Sequence, residues 1–170
     1  LDLSDEQNTL AELRRNCAVL QGADVDWPIL SLHWGPNWAE RPPDYFVRLA
    51  HAAVDMGYGI IFGHSAHLFQ GVEIYRSRPI IYAGGDLVDD YYVEPEFRND
   101  RQLLFELELT RSALLRINLH PVFIDECRTV PATGEDFEAV ARRSATLCAE
   151  LGTRVQREGH HVLAGQRIPI

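Results

Sequence analysis

Lysine is absent from the 170 residues, and all sixteen basic side chains are arginines. No phosphate-gripping lysine of a Walker-type loop and no lysine Schiff base is available, which removes several enzyme classes. The skew itself is most simply codon usage. Methionine is nearly absent too: Met56 is the only one, and Leu1 stands first. The expectation is a processed product or a fragment of a longer protein. Cys17, Cys127 and Cys148 lie far apart with no Cys-x-x-Cys pair. That spacing argues against a cysteine zinc site, and the odd count against a disulfide framework. No apolar run reaches the roughly 20 residues of a membrane-spanning helix, and no leader peptide is visible. Without a start residue, that absence says nothing about cellular address. Positive charge is also scarce. The net charge of −9 argues against a basic funnel for nucleic acid.

Present instead is 46% hydrophobic content with 9% aromatic residues, enough to fill the core of a single domain over residues 1–170. Ser4 to Gln7 reads as a capping box opening a helix with Leu10, Leu13, Cys17 and Leu20 on its buried stripe and Gly22 as its stop. Trp27 to Leu32 has strand length and leads into His33-Trp34-Gly35-Pro36-Asn37-Trp38. Pro42-Pro43-Asp44 opens a second helix that buries Phe46, Leu49, Ala50 and Ala53 and closes at Gly57. Tyr58 to Phe62 is a strand running into Gly63-His64-Ser65-Ala66-His67. Val72 to Tyr75 and Pro79 to Tyr82 form a hairpin around Arg76-Ser77-Arg78. Leu103 to Leu109 and Leu115 to Leu119 alternate as strands with one wet face. Thr133 with Asp136 caps a third helix carrying Phe137, Val140, Ala141, Cys148 and Leu151 before Gly152. The tail from Arg154 is ambiguous. The pattern predicts an α/β (α+β) fold without internal repeats.

Helix, strand, helix, strand in the first half puts a histidine motif at the carboxyl end of each strand, where open α/β sheets hold their ligands. His64 and His67, three residues apart behind Gly63, have the residue types and spacing for a transition metal. Glycine at 63 permits a turn that lets both rings face one point. Spacing alone also allows two loop histidines with no ligand role, and His33 alone allows a satisfied strand-end histidine. Taken together, the three favour a shared site. His51 reads as structural, His120-Pro121 as a turn, and His160-His161 is unassigned. Arg76, Arg78, Arg98 and Arg101 read as solvated surface, with bidentate recognition of a phosphate or carboxylate as the alternative. Asp89 and Asp90 read as a solvated acidic loop.

Ser31-Leu32-His33-Trp34-Gly35 resembles the His-Trp-Gly motif of CapA-type poly-γ-glutamate capsule-synthesis proteins. The run from Gly63 through Gln70-Gly71-Val72-Glu73-Ile74-Tyr75 to Pro79-Ile80-Ile81-Tyr82 resembles that family's glycine–histidine motif and hairpin. The resemblance is strongest from about Trp27 to Asp100. It implies the C-terminal half of a calcineurin-like metallophosphatase sandwich, with mixed sheets flanked by helices. It further implies His33, His64 and His67 as metal ligands, His64 as the catalytic position, and Asn37 and Asp86 as substrate contacts. Where the family has Gly-Asn before an aromatic, this chain has Gly85-Asp86-Leu87.

The superfamily series of Asp-x-His, then Gly-Asp, then Gly-Asn-His or Gly-Asn-Glu supplies the carboxylate that bridges two metals. That series does not occur here. Two divalent ions side by side repel strongly without it, so the chain is expected to carry half a site. The complete protein would hold two divalent ions (Mn, Fe or Zn) that activate water and clamp a phosphate. Its partners would be the missing N-terminal half and an anionic polymer or phosphoester. Membrane association would come through segments outside the chain, and the address is open between bacterial cytoplasm and cell envelope. The expected role is capsule or envelope-polymer synthesis, as a metal-dependent phosphoesterase-like hydrolase when complete, with this chain alone inactive. The alternative is a non-catalytic binding or assembly subunit.

Overall fold

A computed structural model describes residues 5–159 and 161–164. The elements run α1 (Glu6–Gly22), β1 (Ile29–His33), α2 (Asp44–Met56), β2 (Ile60–His64), β3 (Val72–Tyr75), β4 (Arg78–Ile81), β5 (Arg101–Leu109), β6 (Leu114–Asp125), β7 (Arg128–Pro131), α3 (Gly134–Glu150), β8 (Val155–Glu158) and β9 (His161–Ala164). The chain is α/β. One sheet has the order β1-β2-β4-β3, with β1, β2 and β4 parallel and β3 antiparallel to β4. The second has the order β5-β6-β9-β8 with β7 beside β6, and all of its pairs are antiparallel.

Two-residue alternation in the first sheet divides the core. Leu30, Leu32, Ile61 and Ile80 face α1 and α2, where they meet Leu13, Cys17, Leu49, Ala50 and Ala53. Val72 and Ile81 face the other way, toward Leu103, Ile117, Leu119, Val140 and Leu147 of the second sheet and α3. Close approach lets α3 seat on the hairpin: a Cβ on Gly71 would lie 2.4 Å from the Leu147 carbonyl oxygen. The Cys148 thiol sulfur accepts the Val72 N–H at 3.2 Å.

Local chemistry shifts several boundaries. Ser4 lies outside the described residues; the first helix is capped by Asp5, whose Oδ1 accepts the Asn8 N–H at 3.0 Å. Thr133 sits at the α3 N-cap without a side-chain bond. Asp136 turns instead to Arg101, whose Nε donates to its Oδ1 at 2.8 Å. The hairpin turn narrows to Arg76 and Ser77, both at positive φ, the geometry that matches strand twist. Leu115 does not share the inward face of Ile117 and Leu119. The pairing slips between Glu108 and Leu109, and this bulge turns Leu114 inward and leaves Leu115 43% exposed.

His120-Pro121 is not a turn: both residues lie inside β6. The Pro121 carbonyl accepts the Ala132 N–H, so its backbone polar groups point away from β5. On that side β6 pairs with β9 through Leu119 and with β7 from Val122. Proline falls in the gap between the two partners, where its missing N–H costs no ladder bond. The ambiguous tail supplies β8 and β9; His160 lies outside the described residues, and His161 opens β9.

Candidate functional site

β1 and β2 are parallel and in register, so His33 and His64 are direct partners as the last residue of each strand. Their ring centroids are 5.2 Å apart in an edge-to-face arrangement. Burial, and then the neighbouring His33, lowers the His64 pKa. At neutral pH its imidazole is uncharged, which is the ligating form. The Ser31 hydroxyl approaches His64 Nε2 at 3.4 Å from the same face of β1.

Gly63 serves this pair differently from the turn expected of it. It lies within β2, and a Cβ there would sit 2.0 Å from the Tyr82 carbonyl oxygen and 2.1 Å from Trp34 Nε1. Those two atoms are hydrogen-bonded at 2.8 Å directly over the glycine. The buried Trp34 indole stacks on Phe46 of α2 at 4.6 Å and locks the exit of β1 beside His33. The turn falls instead to Ser65 and His67, with φ of +116° and +58°. Non-glycine residues held there store backbone strain, a pattern concentrated at functional sites. Ser65 Oγ donates to the Gly35 carbonyl at 3.2 Å and the Trp38 N–H to the Ala66 carbonyl at 2.9 Å, tying the turn to the β1 exit.

That turn carries His67 to a second pair. His67 Nδ1 lies 2.9 Å from Asp86 Oδ2, with both side chains about one-fifth exposed. An ionised carboxylate only accepts, so Nδ1 is the donating nitrogen of this pair and Nε2 lies outside the bond. Trp38 and Tyr91 wall the imidazole, with ring centroids at 6.0 Å and 5.0 Å. Asp89 joins this group, contrary to the solvated-loop expectation. Its Oδ1 accepts the Tyr91 N–H at 3.2 Å, while its Oδ2 is buried with no donor. Burial first, and then the Asp86 carboxyl, raises the Asp89 pKa. A protonated Asp89 is a donor that the neighbouring Asp86 carboxylate can accept. Asp90 is exposed.

The sequence-derived residues therefore form two pairs. Among the described residues, no group of three or more His, Cys, Asp and Glu side chains is arranged to hold a metal ion. Asn37 is exposed in the turn after β1. The four arginines are engaged within the chain: Arg76 with Asp55, Arg78 over the Trp27 ring, Arg98 with both oxygens of Asp100, and Arg101 with Asp136. His51 is structural as expected, stacked on Tyr75 at 3.9 Å and paired with Glu73 at 2.8 Å.

Comparison with known proteins identifies the family. The family model of the bacterial capsule synthesis protein PGA_cap matches residues 2–91, the stretch that carries both pairs. The chain belongs to that family. A probable polyglutamine synthesis accessory protein of Mycobacterium tuberculosis is 34% identical over 136 residues, which are 76% of this chain and 36% of that protein. The PGA biosynthesis protein CapA of Bacillus subtilis is 29% identical over 114 residues, 67% of this chain and 29% of its own length. The capsule biosynthesis protein CapA of Bacillus anthracis is 28% identical over 110 residues, 65% of this chain and 26% of its own length. The chain thus spans about a third or less of the length of these relatives.

Proposed function

We propose that the chain supplies the histidine half of a dinuclear, metallophosphatase-like centre in a protein of capsule or poly-γ-glutamate synthesis. The observation that carries this reading is the in-register His33–His64 pair at the carboxyl ends of adjacent parallel strands. The donor set fits a divalent ion. His33 and His64 offer ring nitrogens, and His64 is held neutral. His67 has Nε2 open while Asp86 takes its other nitrogen, the carboxylate–histidine arrangement that orients metal ligands. A divalent ion (Mn, Fe or Zn) held there would supply Lewis-acid chemistry toward a phosphoester. This chain's residues would bind and orient it, with His64 beside the reacting centre and Asn37 and Asp86 toward the substrate.

Neither pair completes a coordination sphere, and the remaining ligands would come from the rest of the family-length protein. β1 supports that placement. Among the described residues it pairs with β2 alone, and Ile29, Ser31 and His33 lie exposed along one face. Parallel sheets are ordinarily covered on both faces. Alone, the chain would bind metal weakly and turn nothing over.

A non-catalytic assembly subunit is favoured by one feature, the exposed apolar run Leu87, Val88, Tyr91, Tyr92 and Val93 beside His67. The test is a family-length protein assayed for bound metal and for phosphodiester hydrolysis. His64→Ala and His67→Ala are expected to lose both metal and activity. Indifference to chelators, together with copurification of polymer or envelope partners, would favour the assembly role.

A further inference from the structure

The turn carrying His67 and the turn carrying Asp86 both touch one residue of the second sheet. Gln102, second in β5, is fully buried. Its Nε2 donates to the His67 carbonyl at 3.0 Å and to the Asn99 carbonyl at 2.8 Å, which uses both amide hydrogens. Its Oε1 is buried and accepts nothing. That oxygen lies against Gly85, the residue before Asp86: a Cβ at 85 would sit 2.0 Å from it. Gly85 also has φ +69°, so space and conformation both require glycine there. An aliphatic side chain at 102 would remove the unpaired Oε1 but leave the His67 and Asn99 carbonyls without this donor. What the amide adds is a hold on His67, whose own φ is positive.

We propose that Gln102 is a positioning residue: its buried amide fixes the His67 carbonyl against the Gly85 turn and thereby holds the His67–Asp86 hydrogen bond in place. Its functional meaning rests on the reading of His67 as a site residue, but its geometry does not. Gln102→Met keeps the length and removes both donors. Gln102→Glu keeps the shape and puts a carboxylate oxygen where the donors were. The readout is the His67 Nδ1–H resonance in nitrogen-edited NMR of the chain, assigned by its loss in His67→Gln.

The wild type is expected to show this proton protected. In both Gln102 variants its exchange with water is expected to rise about tenfold, while the amides of Ile61 and Ile80 keep their protection. A merely structural role would loosen all of these protons together, and that result, or an unchanged His67 signal, would overturn the proposal. If neither variant folds, Gly85→Ala drives the same contact apart from the loop side. Selective loss of His67 protection there supports the proposal, and an unchanged signal overturns it. Titration of a family-length protein with Zn2+ separates the two readings. An unresponsive His67 ring sinks the metal site and leaves the positioning result standing.

Discussion

His33 and His64 face each other across two parallel strands, one residue from each, with ring centroids 5.2 Å apart. Such a pair follows when two strands in register both end in histidine, because equal positions on neighbouring strands point to the same face. Holding two imidazoles together at neutral pH requires at least one to stay uncharged. The lowered His64 pKa meets that requirement.

Stability should therefore fall on the acid side of neutrality. The His64 pKa is lower in the folded than in the unfolded chain, so the unfolded state takes the proton first as pH drops past about 6.5. Thermal melts between about pH 7.5 and 5 should show the wild type losing more stability than His64→Gln. Parallel curves for the two proteins would contradict this.

Asp89 acts with the opposite sign. Its raised pKa means that the folded chain holds a proton that the unfolded chain releases near pH 4. Above that range its ionisation costs folding free energy. Asp89→Asn should melt higher than the wild type at pH 7, and the difference should vanish near pH 3 to 4. A lower melting temperature at neutral pH would reject the account of a buried, costly carboxylate.

Gly63→Ala should be poorly tolerated although glycine here has no special φ. The added carbon meets the Tyr82 backbone oxygen and the Trp34 indole at once, and backbone cannot step aside cheaply. A loss of about 3 kcal/mol in urea unfolding is expected. A loss under about 0.5 kcal/mol would show that the Trp34–Tyr82 clamp is looser than described.

Glu73 ties α2 to the hairpin. One carboxylate oxygen accepts the Tyr82 hydroxyl at 2.6 Å and the other meets His51 Nε2 at 2.8 Å. Burial, reinforced by this carboxylate, raises the Tyr82 pKa and keeps the phenol protonated. Glu73→Ala strands a buried hydroxyl and should cost about 2–3 kcal/mol in denaturant titration, with Glu73→Gln milder. Equal losses for the two would mean that packing, not hydrogen bonding, carries the residue.

Much of the scaffold was legible because its signals are local. Apolar spacing marked Leu13 and Cys17 in α1 and Leu49, Ala50 and Ala53 in α2, and Gly57 closed α2 in the left-handed conformation. The histidines were legible from their places after strand-like runs. What escaped depends on contacts distant in sequence. Gln102 reads as a polar residue opening a strand, and only the fold puts its amide under His67. Asp89 looks like one of several loop acids until Asp86 and Tyr91 close around it. Pro121 reads as a turn because nothing local reveals that β6 changes partners at that point. The expectation that His33, His64 and His67 converge came from sequence spacing, whereas the backbone turn at Ser65 and His67 directs the third ring to Asp86.

Metal content is the most direct test of the paired-histidine site. A family-length protein purified with Mn2+ or Zn2+ should carry about two ions per chain. His33→Ala and His64→Ala should each lose at least one while keeping a cooperative melt. Full occupancy in both folded variants would contradict the account.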